Sequence, residues 1–148
     1  MVVPGVWDIF AGSGGLGLEA LSRGAERATF VERGREAAEC LAANIEVCRF
    51  SAAARLVRAD AFRLDFERPE HDAQLVFLDP PFPCFADARA DLENLLRRVS
   101  TTPRFHPDGL LIWRLPDDAA NVAFPAALEL TDRRETGRSV IEIYRRRA

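Results

Sequence analysis

The chain has 148 residues, 48% hydrophobic and 29% charged, with a formal net charge of −3. That is enough for one domain with a real core, but the charge balance by itself does not announce a nucleic-acid binder. No apolar stretch approaches bilayer length, and Met1-Val2-Val3-Pro4-Gly5 lacks the basic flank and long apolar segment of a signal peptide. Cys40, Cys48 and Cys84 are odd in number and lack CxxC spacing, which fits a reduced, cytoplasmic setting. All twenty basic residues are arginine, a bias that GC-rich coding accounts for more simply than phosphate recognition does.

Short apolar runs alternate with helical patterns, the order expected of a parallel sheet flanked by helices. Residues 6–10 predict a first strand, a glycine-rich turn follows, and a helix runs over 15–23. A second strand covers 27–32. Ala38, Leu41, Ile45 and Cys48 then recur at helical spacing and mark one apolar face. Strands follow at 55–59 and 74–78. Phe85, Ala88, Leu92, Leu95, Leu96 and Val99 predict an amphipathic helix that Thr101-Thr102-Pro103 stops, and 110–115 predicts a fifth strand. Residues 127–131 and 139–145 read as a closing antiparallel hairpin joined through 132–138, which contains Gly137. No repeat, low-complexity segment or linker divides residues 1–148, so a single domain is expected.

In an open α/β sheet, ligands bind beyond the carboxyl ends of the strands. Four such ends carry polar or glycine-rich signals. Gly12-Ser13-Gly14-Gly15-Leu16-Gly17 matches GxGxxG, a pattern that suits a nucleotide-like ligand or merely a tight turn. Asp8 stands four residues before the first glycine, where a carboxylate would repel a pyrophosphate. It would accept hydrogen bonds from the ammonium group of S-adenosylmethionine (SAM), or else brace the turn. Glu32 ends the second strand at the spacing of an acid that grips ribose hydroxyls, unless it only begins a loop with the solvated Arg33. Asp60-Ala61, at the end of strand three, suits an adenine amine, with Phe62 or a neighbour packing on the ring; an N-cap reading is equally open.

Asp79-Pro80-Pro81-Phe82 ends the fourth strand. An exocyclic amine on a base is a poor nucleophile because its lone pair is delocalised. The Asp79 carboxylate and the Pro80 carbonyl would accept its N–H groups and localise the pair, with the proline rings fixing the carbonyl direction. Phe82 would stack on the extruded base. A Pro-Pro turn over a buried strand is the plain alternative. No cluster has metal-ligand spacing, and His71 and His106 both read as surface residues. The arginines at 133, 134, 138 and 145–147 suit either a phosphate-contacting stripe or a solvated edge.

The run Asp8-Ile9-Phe10-Ala11-Gly12-Ser13-Gly14-Gly15-Leu16-Gly17-Leu18-Glu19-Ala20-Leu21-Ser22-Arg23-Gly24-Ala25 resembles the RsmD family of bacterial ribosomal RNA methyltransferases. The likeness continues through Phe30-Val31-Glu32, Asn44, Asp60-Ala61, Phe77-Leu78-Asp79-Pro80-Pro81-Phe82, Gly137 and Tyr144, nearly the whole chain. It implies a class I SAM-dependent methyltransferase (Rossmann-like) fold, a mostly parallel seven-stranded sheet with a C-terminal antiparallel hairpin. It implies SAM as cofactor, held by Asp8, Phe10, Gly12, Gly14, Glu32, Arg33, Asp60 and Ala61. Asp79, Pro80, Pro81 and Phe82 become the catalytic loop, guanine N2 of 16S ribosomal RNA the target, and ribosomal RNA or an assembling small subunit the partner of a monomer. Three departures stand out. Such proteins usually carry a segment with an arginine-proline-threonine run ahead of the first strand, which here begins almost at Met1. Trp7 replaces a small aliphatic, and Leu111-Ile112-Trp113-Arg114 lacks an acid usual near strand five. Methylation of DNA adenine N6 or another nucleic-acid amine, a SAM-binding domain without turnover, and an NAD-binding Rossmann domain remain the alternatives.

Overall fold

The computed structural model describes residues 3–67, 70–119 and 122–148. Strands β1 (Gly5–Ile9), β2 (Arg27–Val31), β3 (Ala54–Val57) and β4 (Ala73–Leu78) lie parallel. β5 (Phe105–Pro116) continues that sense beside β4, and the hairpin of β6 (Leu128–Thr136) and β7 (Ser139–Arg146) joins it antiparallel. The order is β3-β2-β1-β4-β5-β7-β6. The chain thus winds outward from β1 to β3, then returns to the free edge of β1 with β4. The carboxyl ends of β1 and β4 flank this reversal, where an open sheet leaves a crevice.

All five residues of β1 are buried because both faces of the sheet are covered there, which explains a strand without polar alternation. Helices α1 (Gly15–Ser22) and α2 (Arg35–Val47) cover one face, where Leu21, Leu41 and Ile45 meet Val6, Ala28 and Phe30. Gly17 permits the contact: a Cβ there would lie 2.4 Å from Phe30 Cε1. The Ala38–Leu41–Ile45 stripe of α2 is buried as its spacing requires, whereas Cys48 caps the helix and is exposed. On the other face Val76, Leu78, Leu111 and Trp113 pack on Leu92, Leu95, Leu96 and Val99 of α4 (Arg89–Thr101).

Three expectations are corrected by the structure. The helical periodicity from Phe85 to Val99 is split at Ala88 (φ −134°, ψ 35°) into α3 (Cys84–Asp87) and α4. The amides of Cys84 and Phe85 bond back to the carbonyls of Pro81 and Phe82, so α3 belongs to the preceding loop rather than to α4. Residues 132–136 extend β6 instead of forming a loop. Their charges reflect an outermost strand facing water, and the turn is only Gly137-Arg138, with Gly137 at φ 59°. His71 is buried, not superficial. Its Nε2 lies 2.9 Å from Thr29 Oγ1, and its carbonyl accepts the Trp7 indole N–H at 3.3 Å. The exposed neighbours Glu70 and Asp72 disguise that position in the sequence. His106 is exposed. No helix among the described residues is long and apolar enough to cross a membrane.

Candidate active site

A cavity of about 390 Å³ opens at the carboxyl ends of β1 to β5. The turn after β1 forms its floor. Phe10 takes φ 64°, a left-handed conformation that a bulky residue adopts only when its surroundings enforce it. An edge-on contact with Phe62 (ring centroids 5.5 Å) holds the ring over the cavity. Gly12 follows at φ 57° and lines the cavity with Phe10. Gly14 does not line it. Its φ of 89°, and Leu41 Cδ1 at 2.2 Å from where a Cβ would stand, make it a packing glycine at the start of α1.

Asp8 also stands behind the cavity wall, 1% exposed. The Gly17 amide donates to its Oδ2 at 2.9 Å, while Oδ1 is buried without a partner among the described residues. Part of the carboxylate therefore braces the turn, as one of the two sequence readings has it, and the other oxygen remains unsatisfied. Burial pushes its pKa up from 3.8 to about 7. The Gly17 hydrogen bond opposes that rise, and the charges of Asp79 and Glu32 add to it.

Glu32 and Arg33 line the cavity at the end of β2. Glu32 is not a loose loop residue. Its Oε2 accepts the Gly12 N–H and its Oε1 the Gly34 N–H, each at 2.8 Å, so one carboxylate joins two loops across twenty residues of sequence. Asp60 and Ala61 line the opposite wall. Asp60 Oδ1 accepts the Phe62 N–H at 3.0 Å and caps the 3-10 turn Ala61–Arg63, so the capping role is realised while the carboxylate still faces the cavity. Arg98 of α4, to which no sequence pattern draws attention, secures this wall. Its Nη2 and Nη1 donate to the carbonyls of Phe62 (2.6 Å) and Leu64 (2.7 Å).

Asp79, Pro80, Pro81 and Phe82 line the remaining side. The Asp79 N–H donates to the Ile9 carbonyl at 3.3 Å, joining the two loops at the point where the winding reverses. Pro81 and Phe82 carbonyls are taken by α3, whereas the Pro80 carbonyl accepts no hydrogen bond among the described residues. Phe82 is 37% exposed. Sequence reasoning misses the partner of this loop. Arg114 of β5 donates from Nε to Asp79 Oδ1 (2.9 Å) and from Nη2 to Oδ2 (3.0 Å), and its Cζ lies 5.5 Å from the Phe82 ring centroid. The parallel register that sets Trp113 beside Leu78 brings the next residues, Arg114 and Asp79, together. Cys84 also lines the cavity, and burial pushes its thiol pKa up, against the pull of Arg33.

A family model described as conserved hypothetical protein 95 matches residues 3–145. The chain belongs to this family, the RsmD family. Ribosomal RNA small subunit methyltransferase D of Escherichia coli is 30% identical over 142 residues, covering 95% of this chain and 68% of that protein. YlbH of Bacillus subtilis is 30% identical over 142 residues, covering 95% and 74%. The solved structure of Escherichia coli yhhF superposes with a TM-score of 0.83 at 29% identity, covering 97% of this chain and 76% of that one. The fold is the class I SAM-dependent methyltransferase fold that the RsmD resemblance implies, with its mostly parallel seven-stranded sheet and antiparallel C-terminal pair.

Proposed function

We propose that this protein transfers a methyl group from S-adenosylmethionine to the exocyclic N2 of a guanine in small-subunit ribosomal RNA. The observation that carries the reading is the meeting of Asp79-Pro80-Pro81-Phe82 with the glycine turn and Glu32 around one cavity. RsmD-family membership supports the substrate, since the Escherichia coli relative is named for small-subunit ribosomal RNA.

The residues present fit the cofactor. Glu32 is held rigid by two amides and keeps lone pairs for ribose hydroxyls. Asp60, which lines the cavity with Phe10 and Phe62, suits an adenine and its amine. Asp8, buried behind the wall with its Oδ1 unpartnered among the described residues, lends the glycine turn an acidic backing that favours a cationic group there. A dinucleotide pyrophosphate would meet these carboxylates unfavourably. Bound here, SAM supplies an electrophilic methyl group.

The chain's own contribution is to prepare the acceptor. Asp79 and the free Pro80 carbonyl take the two N–H groups of the amine and draw its lone pair out of the ring system. Phe82 stacks on the base and fixes its plane, so that nitrogen and methyl meet in line. The surplus proton leaves to Asp79 or to water. Incubation with tritiated SAM and unmethylated 16S ribosomal RNA, followed by digestion to nucleosides, should yield labelled N2-methylguanosine. Label on adenosine, or on duplex DNA in preference to RNA, would refute the target. Calorimetry showing affinity for NAD but none for SAM would refute the cofactor.

A further inference from the structure

We propose that Arg114 is a latch on the catalytic loop that the substrate displaces, and that the released guanidinium then grips the backbone phosphate of the target nucleotide. The inference rests on the methyltransfer reading above and adds a residue to it. Chemistry at an amine requires the Asp79 carboxylate to face the nitrogen and the Phe82 ring to carry the base. In the free protein one side chain holds both: the Arg114 fork takes the two Asp79 oxygens at 2.9 and 3.0 Å, and its Cζ lies 5.5 Å from the Phe82 centroid. A base stacked on the ring face that the guanidinium covers would have to displace it.

The pair is suited to exchange. The side chains of Arg114 and Asp79 are 50% and 24% exposed, so water screens the attraction, and displacing it should weaken acceptor binding by no more than about tenfold. A guanidinium matches phosphate oxygens with the same two-pronged geometry that it offers a carboxylate. Among the described residues, Arg33 and Arg114 are the only cations lining the cavity, and Arg33 follows Glu32 at the ribose end. Arg114 is therefore the cation available to a polyanion at the base end.

The test compares wild type with Arg114→Ala and Arg114→Lys on two acceptors, guanosine and 16S ribosomal RNA. Guanosine has no phosphate to grip. Arg114→Ala should raise kcat/KM on guanosine about fivefold, because no latch must be displaced. The same variant should lower kcat/KM on RNA about tenfold, mainly through KM. Arg114→Lys, which keeps the charge without the fork, should share the gain on guanosine and stay within about threefold of wild type on RNA. Parallel losses on both acceptors, with RNA not rescued by lysine, would make Arg114 a mere support for Asp79 and overturn the latch. A measurement independent of turnover is the salt dependence of RNA binding. Arg114→Ala should reduce the log–log slope by about 0.7 to 0.9, the worth of one phosphate contact, and an unchanged slope would overturn the phosphate grip. Should wild type methylate neither acceptor, the methyltransfer reading fails, while the binding slope still decides the role of Arg114.

Discussion

Asp8→Asn is the substitution through which this site exposes a conflict between stability and charge. In an unfolded chain the Asp8 carboxyl releases its proton near 3.8, and in the folded protein near 7, chiefly because it is buried. Between those values the folded state holds a proton that the unfolded state has lost. The resulting stability is complete below the unfolded value and disappears as pH rises through about 7. At roughly 1.4 kcal/mol per pH unit the difference is ~4 kcal/mol. Asparagine cannot ionise, and its carbonyl can still accept the Gly17 N–H. Its amino group, in place of the unpartnered Oδ1, is a buried donor without an acceptor and costs about 1–3 kcal/mol at every pH. By pH 5 wild type has already lost ~1.6 kcal/mol of that difference, so the variant should lie within about 1.5 kcal/mol of wild type at pH 5 and be more stable, by about 1–3 kcal/mol, at pH 8.5. Between the two conditions the difference changes by ~3 kcal/mol, which in melting temperature is a swing of about 6–12 °C for a domain of this size. Urea and thermal melts of both proteins at matched pH isolate Asp8, because every other titrating group is shared. A stability difference that stays constant from pH 5 to 8.5 would refute the reasoning. Asp8→Asn should also weaken SAM binding, which would set stability against function at one atom.

The other perturbations separate chemistry from architecture. Asp79→Ala should reduce methyl transfer by at least about a thousandfold while SAM affinity, read by calorimetry, changes less than about threefold; joint loss of both would assign the loop a structural role. Glu32→Ala leaves the Gly12 and Gly34 amides without their acceptor, so it should lower SAM affinity more than about tenfold and cost about 1–3 kcal/mol in urea melts. Unchanged affinity would exclude Glu32 as the ribose partner. Arg98→Met keeps the stem over Phe66 but removes the donors to Phe62 and Leu64, with an expected loss of about 2–3 kcal/mol and faster amide exchange through residues 60–64. Equal exchange in both proteins would show that the wall needs no such clamp.

The fold is legible in the sequence wherever one periodicity controls a whole element. The stripe Ala38–Leu41–Ile45 and the fully buried β1 follow directly from burial on one helix face and on both sheet faces. Legibility fails where local pattern and tertiary role diverge. The 85–99 helix keeps its apolar spacing across Ala88, and the break arises because α3 answers to carbonyls of the preceding loop. The charges at 132–135 look like a loop because an outermost strand meets water much as a loop does. His71 sits between acids that do face water, and only the packing beneath β1 shows that its ring points inward.

The same distinction governs the site. Motif residues at strand ends are readable because parallel strands deliver their carboxyl ends to one edge, and so the turn residues Phe10 and Gly12, the acids Glu32 and Asp60 and the Asp79 loop converge. Within the glycine turn, spacing cannot say which glycine serves ligand and which serves packing: Gly12 faces the cavity, while Gly14 makes room for Leu41. Partnerships between elements are less accessible still. Arg114 lies thirty-five residues from Asp79, and the pairing depends on the β4–β5 register, which shifts between Ala73 and Leu75. A slip of one residue would send Arg114 to the opposite face and leave Asp79 to water. The charge of the catalytic loop is thus decided by strand register, and a substitution that disturbs the bulge near Ala73 should alter acceptor binding without touching any residue of the cavity.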